Sequence, residues 1–237
     1  MNHPRPTFTY LGHSTVRCDL PTGEVILIDP WTRTNPACPP HLQHLERLDV
    51  VLITHGHDDH LGDIVEILAH HPDVQIVANF EIVQWLRARG ARHAIAMNLG
   101  GTVEVAGCQV TMVRADHSSS LEDGGQHIYA GHPAGFVIHL AEGFTFYHAG
   151  DTALFLDLQL IGEIHRPELA FLPIGGRFTM DPAQAARACR FLGVREVVGI
   201  HWGTLPALTG TPEALERQIL TLGVNCRVLP LRPGDRC

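Results

Sequence analysis

The segment 55–60 has the composition of a metal site. It reads His-Gly-His-Asp-Asp-His and follows the short apolar run 50–53. Neutral imidazole nitrogens and carboxylate oxygens are the usual protein ligands of zinc and related divalent ions. His55 and His57 are two residues apart, so on an extended segment their side chains point the same way. The Asp-His pair that ends the motif follows in a turn, so one segment can serve two adjacent metal ions.

Three more candidate ligands follow strand-like runs elsewhere in the chain. They are His117 after the run 109–114, Asp151 after the run 144–147, and His201 after the run 197–200. The ends of strands are where α/β scaffolds place much of their chemistry. We therefore expect these three side chains to converge on the segment 55–60.

The full pattern resembles the metallo-β-lactamase superfamily, in which an HxHxDH motif, a later His, an Asp in a Gly-Asp turn and a final His build a binuclear metal site. The chain fills every one of those positions in the expected order, with His55, His57, Asp59, His60, His117, Asp151 and His201. The resemblance implies a first metal bound by His55, His57 and His117. It implies a second metal bound by Asp59, His60 and His201, with Asp151 bridging the two.

Shorter motifs point to one branch of that superfamily. They are the segments 10–16, 115–120, 147–152, 172–175 and 178–180. Together they resemble the small, mostly uncharacterised metal-dependent hydrolases related to ascorbate-6-phosphate lactonase, and the resemblance runs from about Thr7 to Leu229. The chain departs from the branch at Gly176-Arg177 and at Trp202. None of these is a ligand position, so the departures bear on substrate choice.

The resemblance implies a metal-dependent hydrolase that uses a hydroxide held between two divalent ions. Two such ions about 3.5–4 Å apart lower the pKa of a shared water toward about 7, so the hydroxide forms at neutral pH. It would attack the carbonyl carbon or the phosphorus of a small ester-like substrate, a lactone or a phosphodiester. Zinc is the expected metal, and manganese or iron would suit the same ligands. Asp59 could accept the proton of the nucleophile while it remains a ligand.

Four further residues are candidates for direct contact with the substrate, namely Ser118, Ser119, His13 and Arg177. His13 lies in an opening turn that could face the metals. Arg177 follows two glycines, which let the backbone approach a ligand closely. A guanidinium there could bind a phosphate or carboxylate through two hydrogen bonds, so the sequence leaves room for an anionic small-molecule substrate.

Two other functions stay open from the sequence. An iron-dependent oxidoreductase of the same fold would hold its metal in a similar ligand set, and the purified protein would carry an iron chromophore. A non-catalytic metal-binding protein is the other alternative. Members of a superfamily that have lost catalytic activity usually lack some of the metal ligands. This chain retains the full set, so the sequence favours the hydrolase.

A single α+β domain is expected to span residues 1–237. The first half reads as short β-rich runs, and helix signals then alternate with strands. Two helices should begin and end at recognisable caps, which are Asp181-Pro182 with Gly193 and Thr211-Pro212 with Gly223. We predict that residues 118–135 form a long loop. The four-layer αββα sandwich of the metallo-β-lactamase fold is implied by the resemblance, because the pattern alone indicates only α/β or α+β.

Composition and charge bear on partners and location. The formal net charge is −8 and the chain has no lysine, so we expect no nucleic-acid partner. No apolar run reaches the roughly 18 residues of a membrane span, and the N-terminus lacks a secretory signal, so we expect a cytoplasmic protein without a membrane partner. The six cysteines form no Cys-x-x-Cys pair and are expected to be free thiols. A homo-oligomer is expected only from the resemblance, since homo-oligomers are common in that branch.

Overall fold

The apolar runs of the sequence form two main sheets in the computed structural model, which describes residues 4–237. The first sheet has six strands: β1 (Thr7–Gly12), β2 (Thr15–Asp19), β3 (Val25–Ile28), β4 (Val50–Leu52), β5 (Gln75–Asn79) and β6 (His93–Met97), in that spatial order. The strands β1 to β3 pair antiparallel, and β3 to β6 pair parallel. The prediction that the N-terminus lacks a secretory signal concerns, in part, residues 1–3, which lie outside the described residues.

The second sheet has seven strands. In chain order they are β7 (Thr102–Val105), β8 (Cys108–Arg114), β11 (Ala134–Leu140), β12 (Thr145–His148), β13 (Leu169–Pro173), β14 (Glu196–Ile200) and β15 (Arg227–Leu229), with β9 (Ser120–Asp123) and β10 (Gln126–Tyr129) forming a separate hairpin. The strands from β7 to β12 pair antiparallel, and those from β12 to β15 pair parallel. Parallel strands need helical crossovers, so each sheet has a half that helices cover.

Six helices cover the outer faces of the two sheets. They are α1 (Asp58–Leu61), α2 (Ile64–His70), α3 (Phe80–Arg87), α4 (Leu158–His165), α5 (Pro182–Leu192) and α6 (Pro212–Leu222). The central apolar cluster joins residues of both sheets, such as Ile26 and Phe136. A second cluster packs α2 and α3 on the first sheet, and a third packs α4, α5 and α6 on the second. Three apolar interfaces between four layers confirm the αββα sandwich.

The predicted caps of two helices are present. Asp181 accepts a hydrogen bond from the backbone of Gln184 in a capping box, and Gly193 ends α5 in the left-handed region. Thr211 caps α6, and Gly223 ends it in the same way. These ends could be predicted because capping depends on the side chains next to the helix terminus and not on the tertiary fold.

The prediction of a long loop over residues 118–135 is wrong. Most of the segment is the β9–β10 hairpin, which turns at Gly124 and Gly125. Both glycines have positive φ, at 58° and 80°, as a two-residue hairpin turn of the favoured hand requires. The strand β10 is exposed along its whole length, so it lacks the alternation of apolar and polar residues by which a strand is recognised.

Among residues 4–237, no helix is both long enough and apolar enough to cross a membrane.

Candidate metal centre

The motif at residues 55–60 begins where the buried strand β4 ends. Its first part is extended, and His57 is the residue that precedes the single-turn helix α1, with φ −68° and ψ 150°. Asp59 and His60 then lie within α1. The change from extended to helical backbone within six residues lets the motif present side chains in two directions, as the sequence predicted.

The structure brings all seven predicted ligands together. Three groups have donor atoms within 4.8 Å of one another: His55, His57 and His117; His55, His60 and Asp151; and His13, Asp59, His60 and His201. The ligands after β4 come from the first sheet, whereas His117, Asp151 and His201 follow β8, β12 and β14 of the second sheet. The site therefore lies at the edge where both sheets end.

Asp151 lies between the imidazoles of both groups. Its Oδ2 is 2.9 Å from Nε2 of His201 and 3.7 Å from Nε2 of His117, and its Oδ1 is 3.4 Å from Nε2 of His60. Burial alone would raise the pKa of this carboxyl, but His201 and His60 outweigh burial and hold the pKa well below its usual value. Asp151 is therefore ionised and occupies the position expected of a bridging ligand.

The donor set fits divalent cations. Within the described chain, Asp151 Oδ1 and His60 Nε2 are buried without a hydrogen-bond partner, and Nε2 of His55 faces Nδ1 of His57 at 3.0 Å. Buried polar atoms normally have partners, so unpaired donors and acceptors that converge on one point require an explanation. Burial lowers the pKa of His55, His57 and His117, which keeps these imidazoles neutral and able to bind a metal.

Asp29 is a candidate functional residue that the sequence does not single out. It follows β3, is fully buried, and has φ 51°. Its carboxylate accepts hydrogen bonds from the backbone and hydroxyl of Thr54 at 2.9 and 2.8 Å, and from Nδ1 of His60 at 2.7 Å. This contact directs Nε2 of His60 toward Asp151, which is how a carboxylate behind a metal-binding histidine acts. The signal was present, since an acidic residue directly follows an apolar strand there too.

His13 lies inside the candidate centre, as its predicted role requires. Its Nε2 is 2.9 Å from Oδ2 of Asp59, and burial lowers its pKa to about 4, so a neutral ring donates to the carboxylate. Its carbonyl accepts hydrogen bonds from the hydroxyl of Tyr10 and the backbone of His201. His13 and His201 both have positive φ, at 56° and 54°, which is rare outside glycine and is found where a site needs it.

The structure does not bring Arg177 to this cluster. Its side chain is exposed and its guanidinium lies 5.5 Å from the centre of the Phe178 ring. Among the residues that the structure describes, Arg177 does not line the cleft next to the cluster. Ser118 is closer, with its hydroxyl 3.5 Å from Nε2 of His57.

A cleft of about 590 Å³ opens beside His57 and Asp59. Its other lining residues are Trp31, Thr34, Asp58, Leu61, Gly62, Ile64, Val65, Trp85, Glu122 and Leu205. His57 and Asp59 connect this cleft to the ligand cluster, because both line the cleft and are partly exposed, whereas most of the other candidate ligands are buried. A small molecule in the cleft would therefore meet the cluster at Asp59 and His57.

Comparisons with known proteins show which family and which relatives the chain is similar to. The family described as beta-lactamase superfamily domain matches residues 24–202. A UPF0173 metal-dependent hydrolase of Rubrobacter xylanophilus is 47% identical over 228 residues, which cover 96% of this chain and 94% of the relative. A UPF0173 metal-dependent hydrolase of Roseiflexus castenholzii is 44% identical and covers 97% of this chain and 96% of its own.

A solved structure is similar along its whole length. It is Igni18, a metallo hydrolase from the archaeon Ignicoccus hospitalis, which is 34% identical with a TM-score of 0.85. The match covers 98% of this chain and 97% of that one. The similarity in fold therefore extends through both sheets and all of the segments that carry the candidate ligands.

Proposed function

Because the chain belongs to the metallo-β-lactamase superfamily and is a metal-dependent hydrolase, we propose that it cleaves a small ester-like substrate, a lactone or a phosphodiester, at the cluster around Asp151. The observation that carries this proposal is the convergence of eight His and Asp side chains from both sheets at one end of a cleft. Such a cluster at the mouth of a cavity is the usual form of a hydrolytic metal site.

The proposal assigns two divalent ions to the cluster. His55, His57 and His117 would hold one ion, Asp59, His60 and His201 would hold the other, and Asp151 would contact both. When bound, the ions would supply Lewis acidity and an ionised water at neutral pH. Zinc suits this mixture of imidazole and carboxylate donors, and manganese or iron would be accepted by the same atoms.

The protein's own contribution to the reaction centres on Asp59. The hydrogen bond from His13 and the charge of His60 outweigh burial and hold the pKa of Asp59 well below its usual range, so its carboxylate stays ionised. His13 holds Oδ2, and the exposed part of the carboxylate faces the cleft. Asp59 is thereby oriented to receive the proton of the attacking nucleophile and to pass it to the leaving group.

Small-molecule substrates are the proposed partners. The cleft volume is in the range of ligand sites, and the net charge of −8 does not favour a nucleic acid. The six cysteines are free, which supports action in a reducing compartment such as the cytoplasm. A homo-oligomer stays a prediction.

The proposed function is tested by a hydrolysis assay with zinc-loaded or manganese-loaded protein. Bis(4-nitrophenyl) phosphate and a set of simple γ-lactones are compared for the wild type, for Asp151→Ala and for the control Asp73→Ala, which removes an exposed carboxylate near His93. We expect turnover by the wild type and by the control, and loss of more than about 99% in Asp151→Ala, because a buried ligand is lost. Equal turnover by all three would refute the assignment.

An absorption spectrum separates the iron-dependent oxidoreductase from the hydrolase. A colourless, zinc-loaded or manganese-loaded protein that hydrolyses either probe supports the hydrolase. A purified protein that carries an iron chromophore and hydrolyses neither probe would support the oxidoreductase. A colourless protein that binds metal without turnover would support the non-catalytic alternative.

A further inference from the structure

The cleft beside Asp59 is acidic and aromatic. Its lining contains the carboxylates of Asp58, Asp59 and Glu122, and among the described residues it includes no arginine. The whole chain has no lysine that could reach it. If Asp59 serves the metal cluster, Asp58 and Glu122 remain, and both are exposed. The part of the cleft away from the cluster therefore has a negative charge without a compensating cation in its wall.

One wall of the cleft is a tryptophan that the structure holds rigidly. The guanidinium of Arg89 lies 3.8 Å from the centre of the Trp85 ring and donates hydrogen bonds to the backbone carbonyl of Trp85 and to Asp123. The Arg89 side chain therefore contacts both Trp85 and the β9–β10 hairpin. Its charge is paired with Asp123, so Arg89 cannot serve as an anion-binding group in the cleft without breaking that pair.

A second tryptophan in the lining is also fixed in place. Nε1 of Trp31 donates to the hydroxyl of Thr34 at 2.8 Å, and the Trp31 ring meets the His13 ring edge to face at 5.0 Å. The buried carboxylate of Asp63 accepts the backbone N–H groups of the segment 32–34, which anchors this loop. Both aromatic side chains therefore have contacts within the protein that favour one position in the absence of a ligand.

Aliphatic side chains extend the aromatic walls. Val65 is 49% exposed and Leu205 is 41% exposed, and both line the cleft. Large apolar side chains left accessible beside ordered aromatic rings favour a ligand that covers them with apolar surface. A negatively charged group in the same place would lose hydration and be repelled by Glu122 and Asp58, so it would be disfavoured on both counts.

We propose that the substrate carries an apolar or aromatic group without negative charge on the side away from the reacting bond, and that this group lies between Trp31 and Trp85. Substrates with a terminal phosphate or carboxylate are excluded by Asp58 and Glu122. This inference rests on the proposed function, because the cluster must hold the reacting bond for the rest of the substrate to reach the cleft. It restricts the substrate class and argues against the anionic substrate that Arg177 suggested from sequence.

Two matched lactams test the inference without requiring turnover. 5-Phenylpyrrolidin-2-one and 5-oxopyrrolidine-2-carboxylate share a lactam ring in place of a hydrolysable lactone, and they differ in the group that would enter the cleft. Binding to zinc-loaded protein is followed by tryptophan fluorescence and by calorimetry. We expect the phenyl compound to bind at least about tenfold more tightly than the carboxylate compound. Burial of the phenyl ring and repulsion of the carboxylate by a partly screened acidic side chain would together give an effect of this size.

Variants locate the effect within the cleft. Trp85→Ala should weaken the phenyl compound about tenfold, whereas Trp85→Phe, which keeps an aromatic ring, should retain most of the affinity. Glu122→Arg should strengthen the carboxylate compound at least about fivefold and change the phenyl compound less than about twofold. Glu104→Arg is the matched control, since Glu104 is an exposed glutamate that lines a different cavity, and it should change neither.

The inference is overturned if the carboxylate compound binds as tightly as the phenyl compound, if neither binds at millimolar concentration, or if Trp85→Ala leaves phenyl binding unchanged. These outcomes are independent of catalysis. Loss of the proposed function would appear instead as equal hydrolysis by the wild type and Asp151→Ala.

Discussion

At the scale of single residues, the candidate centre depends on side chains that hold the ligands in place. Asp29 is the clearest case, because it contacts Thr54 and the candidate ligand His60 but is not itself a candidate ligand. The HxHxDH motif identified the ligands because their identity and order are local. Asp29 lies 31 residues from His60, and only the fold shows that its carboxylate is directed at that imidazole.

Replacing Asp29 by asparagine tests its orienting role. Asp29→Asn should keep the hydrogen bond to the backbone of Thr54 but lose the charge that holds His60, so we expect zinc affinity to fall by about 10- to 100-fold. Competition with a chromophoric chelator measures the affinity. Asp19→Asn is the control, since Asp19 pairs with Arg17 on the surface of β2. Equal affinity in both variants would show that Asp29 has no part in metal binding.

The protonation of His60 gives a pH-dependent prediction. Burial would lower its pKa, but Asp151 and Asp29 outweigh burial and raise the pKa well above the usual value. The metal-free protein therefore holds a proton on His60 at pH 7, and a metal ion must displace it. The stabilising proton is present below the raised pKa and lost above it, so metal affinity should increase as pH rises toward that value.

Calorimetry in two buffers of different ionisation enthalpy measures this proton release. Zinc binding at pH 7 should release more protons from the wild type than from Asp29→Asn, in which the pKa of His60 is no longer raised by that carboxylate. Identical proton release from the two proteins would contradict the assigned protonation state.

At the scale of elements, Asn79 links the segment that follows the hairpin β9–β10 to the start of α3. Asn79 caps α3 through the backbone of Ile82, and its amide also donates to the carbonyls of Ala130 and His132 at 2.7 and 3.1 Å. The hairpin supplies Glu122 to the cleft and Asp123 to Arg89. The position of the cleft wall therefore depends on Asn79.

Removing the contacts of the Asn79 side chain should lower the stability of the protein. Asn79→Ala loses a helix cap and the amide hydrogen bonds to the carbonyls of Ala130 and His132, so we expect the free energy of unfolding to fall by about 2–4 kcal/mol. Thr211→Ala is the control, because Thr211 caps α6 without holding a second segment, and about 1 kcal/mol is expected there. Urea denaturation measures both, and limited proteolysis should cut residues 118–135 faster in Asn79→Ala. Equal losses of stability would show that the hairpin contacts add nothing.

The sequence could predict helices with strong local signals but not every element. The caps at Asp181 and Thr211 act within one turn, so α5 and α6 were recognisable. Helix α4 was not predicted, since Leu160 and Ile164 are exposed and obscure an amphipathic pattern. The strand β6 mixes exposed and buried positions because it is the edge of its sheet. Whether a residue in such an element is buried depends on its neighbours in the tertiary structure, and a short stretch of sequence does not identify those neighbours.

At the scale of the whole molecule, the candidate ligands connect the two sheets. The HxHxDH motif follows β4 of the first sheet, whereas the other three ligands follow strands of the second. Bound metal would therefore stabilise the association of both halves, and the predicted single domain would unfold as one unit. The sequence predicts that these side chains converge, but only the sheet topology shows that they come from two different sheets.

Removal of metal should lower stability. We expect a single cooperative thermal transition for the zinc-loaded protein, and a decrease in Tm of several degrees after chelation, because a ligand bound only by the folded state stabilises it in proportion to RT ln(1 + [L]/Kd). Asp151→Ala should show a smaller decrease on chelation than the wild type. Two separate transitions would contradict the prediction of a single domain.

The central claim is that the clustered side chains hold two divalent ions, and metal stoichiometry tests it most directly. Wild-type protein and Asp151→Ala are equilibrated with zinc, separated from free metal by gel filtration, and analysed for zinc per chain. We predict about two ions per wild-type chain, from the two ligand groups that share Asp151, and clearly fewer in the variant. A wild-type protein that retains no zinc, or a variant that retains as much as the wild type, would contradict the account.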